Sequence, residues 1–132
     1  MNFEDKIFEN RRFLFQNIVN FFPDNPWVIK ATEKMKTSSK EEYKKMLKQG
    51  YELQNKFDEA VLSKLDIHSN EARLLFFDFI KHIEWFFKID ASSYNELIQL
   101  CQPHRDQFLI VNKEYSEFLL NLLLNYKKEV VD

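Results

Sequence analysis

Glycine and proline are scarce in this chain, which has one glycine and three prolines among 132 residues. Strands joined by tight turns depend on these residues, because glycine adopts positive φ and proline presets the turn. Their scarcity favours an all-helical protein. The one glycine, Gly50, lies inside a helical pattern, so the chain has no glycine-rich loop that would hold a phosphate group.

Cysteine is limited to Cys101, which excludes an internal disulfide bond. A single cysteine is compatible with a reducing cytosol. The first twelve residues place acids ahead of the arginines and contain no apolar run of about seven residues, unlike a secretory signal. We therefore expect a cytoplasmic protein.

Residues with metal-binding or catalytic chemistry are also few. Asp78 and His82 are four apart and share a helix face, but neither a Glu-x-x-His nor a Cys-x-x-Cys pair accompanies them. Pro103 interrupts the helical face on which Cys101 and His104 would have to act together. We therefore predict no metal site, no cofactor, no catalytic residue and no enzyme activity.

Neither sign of charge dominates, since 19 basic and 21 acidic residues give a formal net charge of -2. No cluster of lysine or arginine is free of neighbouring acids, whereas a nucleic-acid-binding protein usually carries a basic face or tail. We expect no direct binding of nucleic acid. Residues 69–90, the most apolar stretch, include seven charged residues, so we expect no membrane span either.

Hydrophobic residues make up 45% of the chain and charged residues 30%, which is typical of a globular protein. A chain of this length fits one domain with one core. We predict a single domain over residues 1–132.

Residues 69–90 predict the central helix of this domain. Its apolar residues cover so much of the circumference that other helices must pack on several sides. Six large aromatic residues fall within twelve positions: Phe76, Phe77, Phe79, Trp85, Phe86 and Phe87. Such rings either fill a core or line a pocket for a flat ligand, and both interpretations stay open at this point.

Apolar periodicity and capping residues predict the other helices. Their approximate ranges are 3–20, 26–36, 39–65, 93–102 and 113–130, with one or two helical turns at 108–111. Ser38 with Glu41, or Ser39 with Glu42, matches a capping box at the start of the longest helix. Within that helix Gly50 indicates either a close helix crossing or a bend, and close packing is the favoured interpretation. About five to seven helices with short links suit a compact bundle or a globin-like packing.

The order of several motifs resembles the TipAS-type antibiotic-recognition domain of MerR-like regulators, from about residue 25 to the end. An early tryptophan precedes a Ser-Lys-Glu-Glu-aromatic start of a long helix, and further apolar and aromatic positions follow in order. The residues that carry the resemblance are Trp27, Ser39-Lys40-Glu41-Glu42-Tyr43, Leu53, Phe57, Ser69, Ile83, Phe87, Tyr94, Leu97, Phe108 and Tyr126.

This resemblance implies an all-α, globin-like domain that binds bulky, flat or heterocyclic antibiotics in an aromatic-lined cleft, without enzyme activity. Where such a domain follows a DNA-binding part, drug binding switches on transcription. No basic helix-turn-helix is visible here, so the expected role is to sequester the drug or to act on a separate regulator. Glu96 stands where some members carry a cysteine that captures thiopeptides, so no covalent capture is expected. Phe79 and Glu117 replace a histidine and a glycine of the pattern.

The resulting hypothesis is non-catalytic binding of a hydrophobic, aromatic small molecule, including peptide antibiotics. The residues predicted to form the wall of the cleft are Trp27, Phe76, Phe79, Trp85, Phe86 and Tyr94. Tyr43 and Glu96 are predicted as polar contacts.

A protein–protein interaction or dimerisation module is the alternative hypothesis. In that case the first helix, with Phe8, Phe15, Phe21 and Phe22 half exposed, would dock a partner protein or a second copy of the chain. Substituting Phe15 with aspartate would then break the complex and leave small-molecule binding unchanged.

Overall fold

The computed structural model describes residues 24–100 and 113–131, which form five α-helices, one short 3₁₀ helix and no strand. The helices are α1 (Pro26–Thr37), α2 (Lys40–Leu62), α3 (Asn70–Glu84), α4 (Ala91–Leu100) and α5 (Lys113–Asn125), with the 3₁₀ helix at Lys127–Glu129. The all-helical class is confirmed for these ranges. The helix predicted at 3–20 and the turns predicted at 108–111 lie outside them. None of the helices described is both long and apolar enough to cross a membrane.

Side-chain caps fix where these helices begin. The Asn25 Oδ1 accepts hydrogen bonds from the backbone N–H groups of Trp27 at 2.9 Å and Val28 at 3.2 Å. The Ser39 Oγ accepts from the Glu42 N–H at 3.1 Å, so Ser39 rather than Ser38 is the cap of α2. Ser69 caps α3 in the same way. Each cap satisfies a backbone donor that the first helical turn leaves without a partner.

A reciprocal pair of hydrogen bonds begins α4. The Asp90 Oδ1 accepts from the Ser93 N–H at 2.9 Å, and the Ser93 Oγ accepts from the Asp90 N–H at 2.8 Å. The bond from the Ser93 backbone is the main reason that the pKa of Asp90 lies below its usual value, although burial opposes it. The buried Ser93 hydroxyl also lies 3.0 Å from the Lys88 carbonyl, to which it can donate. This cluster ties the segment after α3 to the start of α4.

The central helix is shorter than the sequence predicts, because α3 ends at Glu84 rather than near Asp90. The Trp85 N–H bonds to the His82 carbonyl at 3.2 Å and the Phe86 N–H to the Ile83 carbonyl at 2.9 Å. Bonds over three residues tighten the last turn and end the α-helical path. Trp85 and Phe86 therefore lie in a turn.

The main core lies between α2, α3 and α5, each of which contacts the other two, while α4 contacts α5. This arrangement agrees with the prediction that other helices pack on several sides of the central helix. The fully buried side chains of this core include Phe57, Phe76, Tyr94, Leu122 and Leu123. Four further buried apolar residues of the described ranges lie outside this cluster: Val28, Ala31, Met46 and Leu47.

Helix α2 ends at Leu62, three residues before the predicted end, in a Schellman motif. The Leu65 N–H bonds to the Ala60 carbonyl at 2.9 Å, and the Lys64 N–H bonds to the Val61 carbonyl at 3.2 Å. Lys64 has a φ of 55°, in the left-handed region that favours glycine. The α2 terminus therefore places a lysine where a glycine would fit without steric cost.

Substituting Lys64 with glycine is expected to raise the free energy of unfolding by about 0.5–1 kcal/mol, because the steric cost of a left-handed Cβ is removed. Chemical denaturation followed by circular dichroism would measure this change. The control is Lys64→Ala, which removes the charge but keeps the Cβ and should have little effect. Equal stability of the two variants would contradict the prediction.

Candidate functional site

The candidate site is an aromatic face formed by α1 and the turn after α3, and it consists of Trp27, Trp85, Phe86 and Phe87. The ring centroids of Trp27 and Phe87 are 6.5 Å apart at an angle of 47°. The Trp85 and Phe86 centroids are 5.1 Å apart and nearly perpendicular, at 79°. All four side chains are partly exposed. The face therefore offers large aromatic rings that the core does not fully cover.

Two lysines of α1 lie over the tryptophan rings. The Lys30 Nζ is 5.2 Å from the Trp27 centroid, and the Lys34 Nζ is 5.1 Å from the Trp85 centroid. Trp27, Lys30 and Lys34 follow the i, i+3, i+7 spacing of one helix face. This helix face consequently runs along the turn, with Trp27 near Phe87 and Lys34 near Trp85.

The Trp27 indole has a buried N–H group without a hydrogen-bond partner among the residues described. An indole nitrogen only donates. Leaving such a donor unpaired costs about 1–3 kcal/mol, and native structures rarely tolerate it without a reason. A ligand with an acceptor atom would supply the missing partner.

His82 supports the aromatic face from α3. Its ring lies edge-on to Phe86, with centroids 5.6 Å apart at 83°. On its other side, a Cβ added at Gly50 would lie 3.0 Å from the His82 Nε2. This confirms that Gly50 serves a close approach, because a larger residue at this position would press on the imidazole beside Phe86.

A hydrogen bond holds the start of α1 against α4. The Asn25 Nδ2 donates to the Glu96 Oε1 at 2.7 Å, while the Asn25 Oδ1 caps α1. Glu96, predicted as a polar contact for the ligand, thus has a structural partner that positions Trp27.

The other predicted wall residues lie elsewhere. Phe76 and Tyr94 have no exposed surface, and the Tyr94 hydroxyl donates to the Leu123 carbonyl. Phe79 is partly buried against Phe57, with ring centroids 6.0 Å apart. Tyr43 is partly exposed near the start of α2. The structure thus brings together Trp27, Trp85 and Phe86 of the predicted set, and places Phe76 and Tyr94 in the core.

The predicted set lacked Phe87 of the aromatic face and four residues that border or support this face: Asn25, Lys30, Lys34 and His82. The spacing of Trp27, Lys30 and Lys34 along one helix face was a signal in the sequence. Nothing in the sequence showed that this face lies against residues 85–87, because that contact joins segments about fifty residues apart in the chain.

No group of three or more potential metal ligands occurs between residues 24 and 100 or between 113 and 131. Asp78, considered with His82, instead forms an ion pair with Lys56, with 3.6 Å between Oδ2 and Nζ. Cys101 and His104 lie outside the described residues, as do Phe8, Phe15, Phe21 and Phe22. The interaction hypothesis for the first helix therefore stays a prediction.

No protein-family model, curated protein or solved structure matches this chain. The resemblance to antibiotic-recognition domains rests on the residues quoted for it.

Proposed function

We propose that this protein binds a bulky, flat aromatic small molecule at the aromatic face and does not transform it. The observation that carries this proposal is that two partly exposed tryptophans from separate segments lie along the same face of α1. Trp27 and Trp85 each have a lysine ammonium over the ring, and the Trp27 N–H lacks a partner. Flat rings bordered by a few polar groups are typical of sites for aromatic ligands.

The energetics of such a face are sufficient for useful affinity. Covering a large apolar side chain contributes about 1.5–3 kcal/mol. Three covered rings would give a binding free energy in the micromolar range after the cost of association is subtracted. The supports described above reduce that cost, because His82 and the Asn25–Glu96 bond hold Phe86 and Trp27 before a ligand arrives.

Within this proposal, the resemblance to TipAS-type domains gives the finer assignment. It implies a globin-like packing, an antibiotic-like ligand and a cytoplasmic protein that sequesters the drug or signals to a separate regulator. The partly exposed tryptophans and the all-helical fold are compatible with that assignment.

A thermal-shift screen against hydrophobic antibiotics, including thiopeptides and polyaromatic amides, would test the proposal. We expect one compound class to raise the melting temperature, with affinity then measured by titration calorimetry. Trp85→Ala and Trp27→Ala should each weaken binding about tenfold or more, since each removes a ring whose covering contributes at least about 1.4 kcal/mol to the binding free energy.

The matched control is Phe77→Ala, which removes another partly buried ring of α3. Phe77 contacts Arg73 and Phe76, and it is eight residues before Trp85 along the chain. Because this ring lies about two turns from the aromatic face, its loss should change stability and leave affinity unaltered. Binding that survives both tryptophan substitutions, or that Phe77→Ala weakens equally, would refute the proposed site.

A further inference from the structure

We infer that the ligand of the aromatic face carries an anionic group, such as a carboxylate or sulfonate, joined to its flat aromatic system. This inference rests on the proposed function and specifies the chemical class of the ligand. The residues that would bind the anion are Lys30, Lys34 and Trp27.

Two ammonium groups occupy the surface on which a flat ligand would stack. Lys30 and Lys34 lie over the ring faces of Trp27 and Trp85, where a flat ligand would have to stack. A stacking ligand therefore displaces both ammonium groups and removes their cation–π contacts. An anion on the ligand would give these lysines a new partner within reach of the same helix face, whereas a neutral ligand would leave both without one.

Neither lysine forms an ion pair with an acid among the described residues. The ion pairs found there, Lys56–Asp78 and Arg73–Glu129, involve neither of them. Asp90 interacts only weakly with Lys30. Lys30 makes the smallest contribution to its lowered pKa, while Ser93 provides the hydrogen bonds that hold its carboxylate.

Other acids of the neighbouring segments accept a hydrogen bond or are exposed to solvent. Glu96 accepts the hydrogen bond from Asn25. Glu33 of α1 and Glu84 at the end of α3 are exposed and form no ion pair with Lys30 or Lys34. Positive charge on this face is therefore available to a ligand.

The Trp27 N–H has no hydrogen-bond partner among the described residues. This group is buried and donates only, so the atom that would satisfy it must be an acceptor. A carboxylate or sulfonate has several acceptor oxygens, which can bind an indole N–H and an ammonium group at the same time. The two lysines and the indole N–H would therefore all bind the same kind of group, an anion with several acceptor oxygens.

The test compares two probes that share one ring system, 1-pyrenebutyrate and its neutral analogue 1-pyrenebutanol. Binding to the full chain is followed by quenching of tryptophan fluorescence and by calorimetry at low salt. We expect the butyrate to bind about fivefold more tightly, as two partly exposed ion pairs would give, and the difference to shrink as salt is added.

Lys30→Met and Lys34→Met should each weaken butyrate binding about twofold and should not weaken butanol binding, because methionine keeps the apolar stem without the charge. The control is Lys36→Met on the same helix, where the lysine is exposed and lies over no ring in the described structure. It should not alter the binding of either probe.

The outcomes separate this inference from the proposed function. Equal binding of both probes, unchanged by Lys30→Met and Lys34→Met, would overturn the anionic ligand and leave aromatic binding intact. An effect of Lys36→Met as large as that of Lys34→Met would also overturn it, because only net charge would then matter. Failure of both probes to bind would overturn the proposed function and this inference together.

Discussion

Substituting Phe76 with alanine is expected to lower the free energy of unfolding by about 3–5 kcal/mol, the range for removing a large buried ring. Phe76 has no exposed surface. It stacks on Tyr126, with centroids 5.3 Å apart at 29°, and lies edge-on to Phe77 at the same distance. The loss combines the transfer energy of the ring with the cavity that remains. Urea unfolding followed by circular dichroism would measure it.

The control for this prediction lies two residues earlier on the same helix. Leu74 is 54% exposed, so Leu74→Ala should change the free energy of unfolding by less than about 1 kcal/mol. The comparison also distinguishes two roles for Phe76, which was predicted as a wall of the ligand cleft. A Phe76→Ala variant that kept its stability and lost ligand binding would place Phe76 in the site. Such a result would contradict the stabilising role inferred from its burial.

Substituting Tyr94 with phenylalanine is expected to cost about 1–3 kcal/mol, because it leaves a buried carbonyl without its hydrogen bond. The Tyr94 ring is fully buried, and its hydroxyl donates to the carbonyl of Leu123. Leu123 belongs to the last turn of α5, where the helix supplies no partner for carbonyl groups. The hydroxyl of Tyr94, a residue of α4, thus supplies a hydrogen-bond partner for a carbonyl group at the end of α5.

Burial of the Tyr94 phenol also predicts how stability depends on pH. Burial raises the pKa of Tyr94 above its ordinary value, so the folded state favours the neutral phenol. The stabilisation is therefore fully present below about pH 10, the pKa of an unfolded tyrosine, and is lost as the pH rises above it. Urea unfolding at a series of alkaline pH values should show a shallower decline for Tyr94→Phe than for the wild type.

The natural comparison is Tyr126→Phe, since the Tyr126 hydroxyl donates to the Ile67 carbonyl at 2.6 Å. Tyr126 is 8% exposed, so solvent can reach its surroundings more readily and the cost should be smaller. If Tyr94→Phe were as stable as the wild type at pH 7 and followed the same alkaline profile, the Tyr94 bond would contribute nothing to the fold.

The sequence alone determined the helices and most of their starts. A cap within Asp24-Asn25-Pro26 and another at Ser69 or Asn70 could be predicted because a cap is a contact over two or three residues. The structure identifies Asn25 and Ser69, and the apolar periodicity of α2 is equally local. The interpretation of Gly50 as a close approach was also right, although its partner, His82, came only from the structure.

Only the tertiary structure decided which aromatic rings became core and which formed a face. Phe76 and Trp85 belong to the same apolar stretch, yet one is fully buried and the other remains partly exposed beneath Lys34. The difference arises because α3 ends at Glu84 and α1 lies along the turn that follows. Helix formation depends on neighbouring residues, whereas burial depends on which distant segments pack against a ring, and that information is not present in any local pattern.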